Sequence, residues 1–118
     1  MIKKYQSLVD KLQNATADRK ISWEPTSKGD EFKVNFGNSA VSVSRYETLP
    51  DGIFGGNLTA KLLAKLTLWD KDGNKIDEII TSKDEQISDY TSISNLYDTI
   101  RRSYYHVDEA IDDILNRL

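Results

Sequence analysis

Residues Glu31-Phe32-Lys33-Val34-Asn35-Phe36-Gly37-Asn38-Ser39-Ala40-Val41-Ser42-Val43-Ser44 carry the pattern from which the architecture follows. Phe32, Val34 and Phe36 alternate with Glu31, Lys33 and Asn35, so an extended segment has one apolar and one polar face. Gly37-Asn38 supplies a tight turn, and Val41 and Val43 then alternate with Ser42 and Ser44. Two alternating runs joined by two turn residues form a β-hairpin, which puts antiparallel sheet at the centre of the molecule.

Upstream, Lys20-Ile21-Ser22-Trp23-Glu24 reads as a short strand that stops at Pro25, which has no N–H to give a ladder. Thr26-Ser27-Lys28-Gly29-Asp30 is turn chemistry. On the other side, residues 47–60 hold three glycines and a proline and form a long connection. Ala64, Leu66 and Leu68 then alternate with Lys65, Thr67 and Trp69, a fourth strand. Asp70-Lys71-Asp72-Gly73-Asn74 is a hairpin turn, and Lys75 to Thr81 returns as the fifth strand.

Helical patterns flank this meander. Ile2, Tyr5, Leu8, Val9 and Leu12 fall three or four apart, predicting an amphipathic helix over residues 2–17. Ile93, Tyr97, Ile100, Tyr104, Val107, Ile111, Ile114 and Leu118 form a heptad stripe without interior Gly or Pro. One helix from Ser92 to Leu118 would be about 40 Å long. The unbroken stripe predicts that Ile111 is buried as Ile100 is, against the sheet and first helix. A break near Tyr105-His106, with Asp108 capping a short last helix, is the alternative. The expected class is α+β: an N-terminal helix, a five-stranded antiparallel meander, and a long or kinked C-terminal helix packed on the sheet, in one domain over residues 1–118.

Composition limits the chemistry. The 118 residues contain no cysteine and one histidine, which excludes disulfides, thiolate catalysis and Cys-based zinc sites. No apolar run follows Lys3-Lys4, so neither a signal peptide nor a membrane span is expected, and a cytoplasmic location fits. Net charge is −3, distributed as +3 over residues 1–20, −1 over 21–83 and −5 over 84–118. The acidic end is either a packing complement to the basic first helix or a docking face for a basic partner. Nucleic acid is not an expected partner, because no basic stripe with aromatics is free of the core pattern.

Lys4-Tyr5 with Leu8 and Leu12, Ile21-Ser22-Trp23-Glu24, Leu96-Tyr97, Arg101-Arg102 and residues 107–115 together resemble a family of short uncharacterised bacterial proteins, some in phage-like or mobile contexts. The resemblance is concentrated at the two ends of the chain. It implies no activity and no functional residues.

Asp70 to Asn74 matches the first five positions of a calcium loop, but Lys75 replaces the turn glycine and Thr81 the closing carboxylate. No metal or other cofactor is therefore expected. His106 beside Asp108 lacks a nucleophile to serve. Gly52-Ile53-Phe54-Gly55-Gly56 lacks the Lys-Thr step of a phosphate loop. Its Ile53 and Phe54 are instead candidate anchors for a partner, set against cover for a sheet edge. Glu109, Asp112 and Asp113 are candidate partner-binding carboxylates, set against a solvated helix face. Arg101-Arg102 beside Tyr104-Tyr105 reads as part of the helix more than as a base-stacking site. The expected function is a non-enzymatic protein-binding role, with another protein as partner, as a monomer or homodimer. The alternatives are a small enzyme using carboxylates and tyrosines on the open sheet face, or a structural homodimer through the C-terminal helix.

Overall fold

The computed structural model describes residues 1–48 and 60–118. Helix α1 (Lys3–Ala17) precedes strands β1 (Glu24–Pro25), β2 (Glu31–Asn35), β3 (Ser39–Thr48), β4 (Lys61–Asp70) and β5 (Lys75–Ser82). Helices α2 (Ile87–Tyr104) and α3 (Val107–Arg117) follow. The strands form one antiparallel sheet in the order β1-β2-β3-β4-β5, a meander. The α+β class and its element order are those expected from the pattern.

Register sorts the side chains. Phe32 pairs with Val43, Val43 with Leu66, and Leu66 with Ile79, so these four share one face of the sheet. Val34, Val41 and Leu68 form the next row on that face. Helix α2 covers it, burying Ile93, Leu96 and Ile100 completely against Phe32, Val34, Val41, Val43, Ala64 and Leu66. Burial of apolar side chains on this scale is the main term favouring the fold.

Helix α1 lies beside α2 and runs in the same direction. The Met1 amino group pairs with Asp89 at 2.8 Å and Gln13 bonds Thr99, so both helices progress toward the same end of the molecule. Val9 and Leu12 are its buried apolar residues, joined by the fully buried Thr16. Ile2, which the spacing places on the stripe, is exposed because it precedes the first turn.

Three local expectations are corrected. The first strand is Glu24–Pro25, not Lys20–Glu24. Pro25 pairs with Phe32 at the edge of the sheet, where a missing N–H costs nothing, while Ile21 and Trp23 turn into the core edge without joining the ladder. Phe36 lies past the end of β2 and is exposed. At this turn Gly37 adopts φ 95° and Phe36 N–H donates to the Ser39 carbonyl at 2.8 Å.

The third correction concerns the C-terminal stripe. Helix α2 begins at Ile87, earlier than Ser92, and ends at Tyr104. His106 takes a left-handed conformation, φ 51°, and α3 starts anew. Tyr104 and Tyr105 cluster with Phe32, at ring separations of 5.5 and 6.5 Å. Arg102 pairs with Asp108, across the break. These contacts hold the corner in place of a straight helix. Past Tyr104 the helix has run beyond the strands, so the continuing stripe finds no sheet to cover, and α3 buries none of its residues.

Candidate functional site

Helix α3 is the part of the described chain whose sequence pattern and burial disagree. Val107, Ala110, Ile111, Ile114, Leu115 and Leu118 fall on one arc of the helix. Asp108, Glu109, Asp112, Asp113, Asn116 and Arg117 fill the other. Such segregation ordinarily marks a helix lying on a core. Here Ile111, Ile114, Leu115 and Leu118 are 45, 56, 62 and 97 % exposed. These four positions stand at i, i+3, i+4 and i+7.

The candidate carboxylates divide by partner. Glu109 pairs with Arg19 at the end of α1 and lies 4.0 Å from the His106 ring. Asp113 pairs with Arg117 at 3.3 Å, one turn along α3. Asp112 is exposed and makes no ion pair among the described residues. All three face away from the apolar arc. Ile53 and Phe54, the other candidate anchors, lie outside the described residues.

The corner that sets α3 is built from two left-handed residues, Arg19 (φ 59°) and His106 (φ 51°). At the end of α1, Lys20 N–H donates to the Ala15 carbonyl at 2.8 Å and Arg19 N–H to Thr16 at 3.1 Å, a helix stop that normally uses glycine at the Arg19 position. Both residues line a cleft of about 250 Å³ together with Ser22, Trp23, Ser103 and Tyr104. The arginine at its rim is engaged by an acid of α3, so the charge pairs here position α3. They are exposed pairs, worth little each.

The open face of the sheet carries the second group of polar residues. Trp69 Nε1 donates to Ser42 Oγ at 2.9 Å, and Lys33 lies over the Trp69 ring at 4.7 Å. Lys65 lies over the Tyr46 ring at 5.6 Å and 3.8 Å from Glu78. Burial, followed by the charges of Glu78 and Asp30, pushes the Tyr46 phenol above its ordinary range, so it is a hydrogen-bond donor at neutral pH. Alternation marks Ser42 and Ser44 as outward-facing, which they are, yet both are buried beneath these long neighbours. Their burial was missed because alternation tells which face a residue takes and not what folds over it. Lysines and aromatics at the flanking register positions are the available signal.

At the β4–β5 turn, Asp70 Oδ1 accepts from Asn74 N–H at 2.8 Å and Asp72 N–H at 2.9 Å, and Oδ2 from the Asn74 amide at 3.3 Å. Those bonds, the Asn74 N–H first, hold the Asp70 carboxyl below its usual range. Both oxygens are thus committed to the turn that Gly73 closes at φ 83°. No group of three acidic or histidine side chains among the described residues is arranged to hold a metal ion. No helix among them is long and apolar enough to cross a membrane.

No family model, curated protein or solved structure matches the chain.

Proposed function

We propose that this is a non-enzymatic interaction protein that presents α3 to an apolar groove on another protein. The observation that carries the reading is the exposed quartet Ile111, Ile114, Leu115 and Leu118 on a helix with no buried residue. Anchors at i, i+3, i+4 and i+7 are the pattern by which an amphipathic helix seats in a groove. The flanks of α3 hold four acids, Asp108, Glu109, Asp112 and Asp113, against Arg117. The groove that fits them has a rim of Lys or Arg, since complementary charge steers and orients docking.

Self-pairing of α3 fits less well. A helix of 11 residues is about 16 Å long, too short to bury by itself the ~800 Å² per partner of a stable interface. It would also bring the acids of two copies together. The carboxylates Glu109, Asp112 and Asp113 are therefore assigned to the rim of a heterologous contact.

The test places a photo-crosslinking side chain at Leu115 and captures partners from the native host. Wild type is compared with Ile114→Asp. Support is a crosslinked peptide from one partner that maps to an apolar groove with a basic rim and disappears in the variant. Equal capture by both proteins overturns the reading. So does sedimentation of the purified protein as a dimer that Ile114→Asp dissociates, which replaces it with homodimerisation.

A further inference from the structure

Glu31 and Ser44 are direct cross-strand partners on the open face, and Ser44 is in turn the partner of Lys65. The three make a straight row across β2, β3 and β4. Glu31 is only 5 % exposed and Ser44 only 3 %. The Ser44 hydroxyl has no hydrogen-bond partner among the described residues. The Glu31 carboxylate accepts from the Thr26 hydroxyl at 2.9 Å, but it makes no ion pair among the described residues. Lys65, its neighbour in the row, is directed at Glu78 and Tyr46 instead.

A buried hydroxyl without a partner forfeits the hydrogen bonds that water would give it. The Glu31 carboxylate, whose one side-chain hydrogen bond among the described residues comes from the Thr26 hydroxyl, keeps acceptor capacity to fill. The two unmet demands are adjacent, and both are answered by a donor carrying positive charge.

Glu31 and Ser44 line a cleft of about 260 Å³ together with Lys28, Asp30, Tyr46 and Lys65. Its side chains supply two acids, two ammonium groups and two hydroxyls, a balanced charge set. A bare cation would meet two lysines, and a bare anion two carboxylates. A ligand with both charges meets neither penalty. The cleft is below the ~300–1,000 Å³ usual for ligand pockets, so it suits a molecule of few heavy atoms.

We propose that this cleft binds a small zwitterion of the α-amino-acid type, its ammonium on Glu31 and Ser44 and its carboxylate toward Lys28 and Lys65. Tyr46 lines the same cleft, and its hydroxyl, a donor at neutral pH, is a further hydrogen-bond donor for the carboxylate. This site is on the sheet face away from the helices and is independent of α3.

The test is a titration of the ¹⁵N-labelled protein by NMR with glycine, alanine and serine. Methylammonium and acetate at matched ionic strength form the two single-charge arms. The expected result is a saturable shift of the Glu31, Ser44, Tyr46 and Lys65 amides with at least one amino acid, and a weaker response to either arm. Glu31→Gln keeps the shape of the side chain and removes the charge, so it should weaken binding about tenfold or more. Ser44→Ala should weaken binding while leaving the melting temperature unchanged or raised, because the lost hydroxyl bonds nothing in the free protein. Absence of a saturable shift with all three amino acids overturns the proposal. An equal response to methylammonium alone also overturns it, since the carboxylate half would then contribute nothing.

Discussion

The indole Nε1 of Trp23 donates to the hydroxyl of Thr16 at 2.9 Å, and that hydroxyl donates in turn to the Leu12 carbonyl at 2.6 Å. All of it is buried, with Thr16 fully enclosed and Trp23 3 % exposed. The chain from α1 into the sheet is therefore tied at a point where no strand pairing exists. Thr16→Val preserves shape but leaves the indole N–H without an acceptor, which should cost about 1–3 kcal/mol. Thr16→Ser should cost less, since the acceptor returns. Denaturant midpoints of the two variants measure the difference, and equal midpoints would show that the indole bond adds nothing.

Helices α2 and α3 carry the same heptad spacing with opposite burial, which makes a paired test. Ile93→Ala removes a fully buried side chain and should cost about 2–5 kcal/mol. Ile114→Asp alters a surface position and should stay within about 0.5 kcal/mol of wild type. Thermal melts of both variants check this. A large loss from Ile114→Asp would mean that α3 is packed in solution.

His106 occupies the left-handed region without being glycine, at a cost of roughly 1–2 kcal/mol. His106→Gly should relieve that strain and raise the melting temperature by a few degrees, tempered by the greater freedom of glycine in the unfolded chain. His106→Ala should not. If both variants melt alike, the corner between α2 and α3 is not held in the left-handed conformation.

The Tyr5 hydroxyl donates to the Asp77 carboxylate, linking α1 to β5. Burial first, then this bond and the Asp77 charge, pushes the phenol up to about 12 from 10.0. The Asp77 carboxyl is held below its usual range, mainly by the Tyr5 bond. The raised phenol contributes stability that is complete below pH 10.0 and lost as pH rises through about 12. The depressed carboxyl contributes stability present above 3.8, lost as pH falls through its folded value. Tyr5→Phe should therefore flatten the alkaline fall of the melting temperature relative to wild type. Superimposable curves above pH 10 would show that the bond does not form in solution.

Part of the fold is written in short-range patterns. Alternation around Gly37-Asn38 specified β2 and β3, because side chains change face at every residue and only one face of Phe32, Val34, Val41 and Val43 is apolar. Asp70 to Asn74 specified the next hairpin through bonds confined to five residues. The spacing of Val9 and Leu12, and of Ile93, Tyr97 and Ile100, specified two core helices. What each pattern meets depends on contacts between distant segments. Ile111 and Ile114 continue the spacing of Ile93 and Ile100, but spacing encodes a face and not a neighbour, and α3 lies past the strands that cover α2. Likewise Glu31, Ser44 and Lys65 sit 13 and 21 residues apart in sequence, and strand register alone sets them in one row. Both candidate surfaces therefore depend on where distant segments end in space, a long-range quantity that no local pattern records.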